Sequence, residues 1–203
     1  MLISPALTGF GTGLSLIVAI GAQNAHVLRQ GITKQFVWTC VAICAISDAV
    51  LITAGIAGIG AVIERANWVL PAASMLGALF LAGYSVVALR RALSPTSLST
   101  KQTSTAPSAK QVIATTLALT WLNPHVYLDT VILLGSIGNS FAADRWQFAA
   151  GAIAASVIWF CTLGAASRIL SRLFAKPRAW QILDLLICLF MAYLAVRLVL
   201  PLL

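Results

Sequence analysis

An all-α membrane protein, six transmembrane helices laid out as two inverted three-helix repeats, is the architecture to expect of this chain. Three observations support that expectation. The 203 residues are 60% hydrophobic and only 9% charged, with a mean hydropathy of +0.96. A soluble domain carries about 25% charged residues. Six apolar runs each reach the roughly 20 residues that a helix needs to cross hydrocarbon. A polar word also recurs, as Asn24-Ala25-His26-Val27 in the first run and Asn123-Pro124-His125-Val126 in the fourth, 99 positions apart. A second echo follows at an offset of 109, pairing Ala45-Ile46-Ser47 with Ala154-Ala155-Ser156 and Tyr84 with Tyr193. An offset that changes once, by one loop's worth of residues, points to a duplicated unit.

The expected spans are 4–27, 36–62, 68–89, 111–137, 146–170 and 180–201. Polar breaks separate them. Arg29 to Gln35 forms a short turn containing Gly31, and Glu64 to Asn67 divides the second run from the third. Arg90 to Lys110 is the longest polar stretch, rich in Ser and Thr with Pro95 and Pro107. It is the natural linker, so the halves are 1–89 and 111–203, joined by 90–110. Gly138 to Arg145 and Arg172 to Arg178 complete the set. The first run has no Lys or Arg before Arg29, so it lacks the basic start of a secretory signal and reads as a retained span. Two homologous halves with three spans each must insert in opposite senses, an arrangement suited to alternating access around a midplane site.

Ten of the 13 Lys and Arg fall in the loops after spans one, three and five: Arg29, Lys34, Arg90, Arg91, Lys101, Lys110, Arg168, Arg172, Lys176 and Arg178. Arg65, Arg145 and Arg197 occupy the other side. The positive-inside rule therefore places the first set in the cytoplasm and both termini outside. This asymmetry also accounts for the net charge of +8. Nucleic-acid binding would need an aqueous basic domain, which the apolar runs leave no room for. Cys40, Cys44, Cys161 and Cys188 all lie in apolar runs without zinc-type spacing and read as inert thiols.

The polar residues inside the spans locate a site. A central Asp costs about 2.5–3.5 kcal/mol to insert, and each Leu, Ile, Phe or Val returns about 0.3–0.6. Asp48 in span two therefore nearly cancels the apolar gain of its own helix, and should face other helices or a wet cavity. Span four carries Thr120, Trp121, Asn123, Pro124, His125, Tyr127, Asp129 and Thr130. Pro124 has no N–H, so the helix can bend there and expose backbone groups to a ligand. In an intact helix His125 and Asp129 would share one face with Trp121, which suits a proton relay. Asp184, near the start of span six, is explained by the helix dipole alone. Tyr84, Tyr193, Trp68, Trp146 and Trp180 read as interface anchors, and Arg197 as a residue that snorkels. The middle of every span is free of Lys and Arg, so the interior favours a cation or a proton over an anion.

Gly21-Ala22-Gln23-Asn24-Ala25, Arg29-Gln30-Gly31, Ala45-Ile46-Ser47-Asp48 and Thr120 through Asp129 resemble the LysE family of amino-acid exporters, most closely its lysine/arginine branch. The resemblance covers nearly the whole chain. It implies export of L-arginine or L-lysine across the bacterial cytoplasmic membrane, driven by the electrochemical gradient. Ala22 stands where the family pattern has proline, so Gly21 is left as the hinge of span one, with Pro124 as the hinge of span four. The expected substrate and ion site comprises Asp48, Asp129, Asn24, Asn123 and His125. The expected partners are a basic amino acid, a coupling proton or other ion and the bilayer, with a homodimer left open. No cofactor, metal or catalytic residue is expected. The alternatives are an exporter of neutral amino acids and a membrane thiol–disulfide carrier of related fold. Such a carrier needs cysteines at the broken-helix sites, where this chain has Asn and His. A scaffold would not need costly intramembrane acids, and a passive channel would give transport insensitive to the proton gradient.

Overall fold

The computed structural model describes residues 4–18, 21–60, 68–93, 108–170 and 177–200. Among these residues the regular structure is entirely helical. In chain order the main helices are α1 (Pro5–Ile17), α2 (Ala22–Ile32), α3 (Val37–Ile56), α4 (Val69–Leu93), α5 (Ala109–Trp121), α6 (Pro124–Asn139), α7 (Arg145–Leu170) and α8 (Pro177–Val199). Four helices are long and apolar enough to cross a membrane alone, and two bent pairs raise the number to as many as six. The pairs are α1 with α2, bent by 78°, and α5 with α6, bent by 57°. They coincide with expected spans one and four. Most of the expected linker, residues 94–107, lies outside the described residues, as do Glu64 to Asn67.

Local chemistry accounts for several boundaries. Pro5 opens α1, where a missing N–H costs nothing. Ser108 and Gln111 form a reciprocal capping box at the start of α5, with bonds of 3.2 and 3.1 Å. Asn123 caps α6 and Pro124 takes its first position. Between α2 and α3 the chain reverses through Lys34 and Phe36, both at positive φ. Within α6, Tyr127–Leu133 widens into a π-helical stretch.

Side-chain pairs along the interfaces give the sense of each helix. The α1–α2 pair runs alongside α7 in the same direction: Gly9 abuts Phe148, Gly13 abuts Ala152, Asn24 bonds Trp159 and Gly31 abuts Ser167. α3 runs alongside α5 and α6 in the same direction, through Cys40 with Thr116, Ser47 with Trp121 and Gly55 with Val131. α3 and α7 are antiparallel, joined by Asp48 with Ser156 and Val41 with Gly164. α4 and α8 are antiparallel too, with Gly77 beside Leu198, Ser85 bonded to Cys188 and Arg91 near Asp184. Gly9 and Gly13 bring α1 against the α7 backbone. Helices in lipid associate through such small residues, because burial against lipid-like side chains gives them little drive. Large apolar residues such as Leu79, Leu189 and Val196 remain exposed on the outside, as a lipid-facing surface requires.

Candidate functional site

A cavity of about 270 Å³ opens where both helix breaks meet α3. This is near the lower end of the roughly 300–1,000 Å³ typical of small-molecule sites. Asn24, Asp48, Asn123, His125 and Asp129 all line it, as do Gly21 and Gln23. Residues from widely separated parts of the chain therefore share one chamber. Leu16, Leu81, Leu134, Phe160 and Leu194 supply its apolar wall. Pro124 is buried at the α6 start beside it.

Asp48 is 3% exposed, and Ser156 Oγ of α7 donates to its Oδ2 at 2.7 Å. Ser47, its neighbour, accepts from Trp121 Nε1 at 3.1 Å. Of the two serines of the 109-residue echo, Ser156 bonds the cavity carboxylate and Ser47 bonds Trp121. Asp129 lies in the π-helical stretch with Thr130, and both face the cavity. Single widened turns of this kind are frequent at functional sites. The break places Trp121 on α5 and His125 on α6, so Trp121 does not share a continuous face with His125 and Asp129.

The two asparagines hold the breaks. Asn24 Nδ2 donates to the Ile17 carbonyl at 2.9 Å, satisfying a backbone oxygen at the end of α1, while Trp159 Nε1 donates to Asn24 Oδ1 at 3.3 Å. Asn123 Oδ1 accepts from the His125 amide at 3.1 Å. Tyr127 Oη donates to the Trp121 carbonyl at 2.8 Å, another oxygen at a helix end.

A second polar layer lies beyond α2's first two turns. Arg29 is part of α2, not of a loop, and its guanidinium makes a buried ion pair with Asp184 of α8. Arg91 Nε of α4 stands 3.9 Å from the same carboxylate, and its guanidinium covers the Tyr84 ring at 5.6 Å. Tyr84 Oη is 3.2 Å from His26 Nδ1. Asp184 is thus held by arginines as well as by its helix position, and Tyr84 is an interior partner, unlike Tyr193, which is exposed with Arg197 over its ring. Sequence reasoning missed this layer because it joins residues 155 positions apart. Arg29 stood in the Arg29-Gln30-Gly31 motif and Tyr84 in the echo with Tyr193, but neither signal pointed to Asp184. The cysteines do not line the cavity: Cys40, Cys44 and Cys188 are buried, Cys44 behind Gln23 and Asp48, and Cys161 is exposed.

Residues 14–201 match the LysE type translocator family. The chain belongs to the LysE type translocators. Among its relatives, a Mycobacterium tuberculosis protein named provisionally as an amino-acid transporter is 45% identical over 183 residues, covering 90% of each chain. The arginine exporter protein ArgO of Salmonella typhimurium is 39% identical over 203 residues, covering 97% of this chain and 94% of its own. The same identity and coverage hold for ArgO of Salmonella enteritidis. No solved structure matches the chain. The LysE assignment and the apolar helices make this a multi-pass membrane protein of amino-acid transport.

Proposed function

We propose that this protein exports basic amino acids, L-arginine and L-lysine, out of the bacterial cytoplasm by gradient-driven alternating access. The observation that carries the reading is the pair of carboxylates, Asp48 and Asp129, facing one cavity whose lining includes no Lys or Arg. A bare carboxylate at membrane depth costs several kcal/mol, on the order of 3 for each. A substrate with two positive groups offsets both at once, and a neutral amino acid offsets only one. The arginine exporters at 39% identity support the same substrate class and the outward direction.

The transport cycle follows from the two breaks. Each half supplies one bent pair, and the helix senses fit a two-fold axis in the membrane plane. The α1–α2 pair runs parallel to α7 as α5–α6 runs parallel to α3, while α3–α7 and α4–α8 pair antiparallel. These senses support a reading of six spans in two inverted repeats. Gly21 and Pro124 are the hinges. Arg29, Arg91 and Asp184 lie toward the helix ends that carry Lys34, Lys110, Arg168 and Arg178, the side that the positive-inside rule makes cytoplasmic. Both termini then lie outside. His125 beside Asp129 provides the group that exchanges the coupling proton.

Counterflow in reconstituted vesicles tests the reading. Vesicles preloaded with arginine should concentrate labelled arginine and lysine, and an imposed proton gradient should alter the rate. Concentration of labelled threonine or leucine, with arginine and lysine excluded, would assign the chain to neutral amino acids.

A further inference from the structure

The exporter reading, on which this inference rests, leaves one end of the substrate without a partner. An α-amino acid carries a carboxylate, and Asp48 and Asp129 repel it. Gln23 lines the same cavity, is 9% exposed, and its Nε2 has no oxygen acceptor, with only the Cys44 thiol, a weak partner, beside it. A buried donor left unpaired costs about 1–3 kcal/mol, so an acceptor in the cavity is favoured there.

Gln23 sits in the first turn of α2, and that helix end is open. Its N-cap is Gly21, extended at φ −113° and ψ 173°, and among the described residues no side chain caps it. The first intrahelical bond runs from the Ala25 amide to the Gly21 carbonyl at 3.1 Å, so the Ala22 and Gln23 amides precede it. The other broken helix differs: Asn123 already fills the N-terminus of α6. Positive dipole and free donors therefore coincide at α2, and an anion there gains from both. Gln23 and Asp48 line the same cavity from different helices, so one substrate can meet both.

We propose that Gln23 Nε2 and the uncapped first turn of α2 bind the α-carboxylate of the substrate, while Asp48 and Asp129 take its cationic groups. Gln23 is then a specificity residue: it admits amino acids and excludes cationic amines that lack a carboxylate. Asn24 holds the break open beside it.

Ligand-induced thermal stabilisation of the purified full-length protein reads binding without turnover. The probes are arginine, arginine amide and agmatine, which share the guanidinium and differ at the carboxylate. The wild type should half-saturate with arginine at a concentration at least tenfold below that for the other two. Gln23→Leu should raise the arginine value at least tenfold and move the agmatine value less than threefold. The near-isosteric Gln23→Glu, which sets a carboxylate against a carboxylate, should weaken arginine further and spare agmatine. Equal weakening of all three probes, or an unchanged preference for arginine in both variants, overturns the assignment of Gln23 alone. A wild type stabilised by none of the three overturns the exporter reading itself.

Discussion

Ser156 of α7 donates a 2.7 Å hydrogen bond to Asp48 of α3, across 108 residues of chain, at the wall of the cavity. One carboxylate oxygen is thereby fixed. Asp48→Asn keeps the size and removes the charge, so arginine counterflow should fall at least tenfold while the protein still reaches the membrane. Ser156→Ala removes one hydrogen bond to a charged group, worth about 1.5–3 kcal/mol, and should raise the half-saturating arginine concentration with a smaller loss of maximal rate. Unchanged counterflow in Asp48→Asn would reduce this carboxylate to a structural role.

Asp129 faces the cavity from a different element and, among the described residues, has no hydroxyl partner of that kind. Asp129→Asn should also abolish concentrative arginine uptake in preloaded vesicles. Asp129→Glu should retain part of the rate, because the charge survives. Equal loss in the Asn and Glu variants would point to shape, not charge, as the requirement.

The Arg29–Asp184 ion pair is buried, with side chains 12% and 7% exposed. Removing one partner of a buried pair strands the other, at a cost of about 3–5 kcal/mol. Asp184→Asn should therefore lower the thermal unfolding midpoint in detergent more than Arg29→Met with Asp184→Met combined. Arg91 near the same carboxylate should make Arg29→Met the milder single change. A double variant whose loss equals the sum of the singles would show that the pair is not coupled.

Two neighbouring glycines of α1 make a packing control. A Cβ on Gly9 would collide with the backbone carbonyl of Phe148, and a Cβ on Gly11 meets nothing within 4 Å. Gly9→Ala should destabilise the α1–α7 contact by about 1–3 kcal/mol. Gly11→Ala should be neutral or mildly stabilising, since it removes glycine from a helix interior. Folded yield and unfolding midpoint in detergent distinguish the two.

Orientation is checked by labelling in a cysteine-free background. Lys110→Cys should react with an impermeant maleimide only after the cells are opened, and Arg145→Cys should react in intact cells. The reverse pattern would place both termini in the cytoplasm.

Much of this protein was legible from sequence because a bilayer restricts the choices. Backbone groups in hydrocarbon must bond internally, so an apolar run of about 20 residues has to become a helix. Composition and run length thus determined the all-helical class, the start of α3 and the approximate ends of α4, α7 and α8. Pro124 marked the α6 break, because proline lacks the donor a continuous helix needs. The cost of charge in lipid marked Asp48 and Asp129 as residues that must face something other than lipid. Only the tertiary structure decided what they face. That Asn24 and Asn123 bond the backbone at the breaks, that Ser156 meets Asp48, and that Arg29 and Arg91 converge on Asp184 depends on how helices cross. Side-chain pairs separated by more than 100 residues leave no local periodicity to read. The widened turn at Tyr127–Leu133 likewise arises from packing, since nothing in its apolar run distinguishes five-residue from four-residue hydrogen bonding.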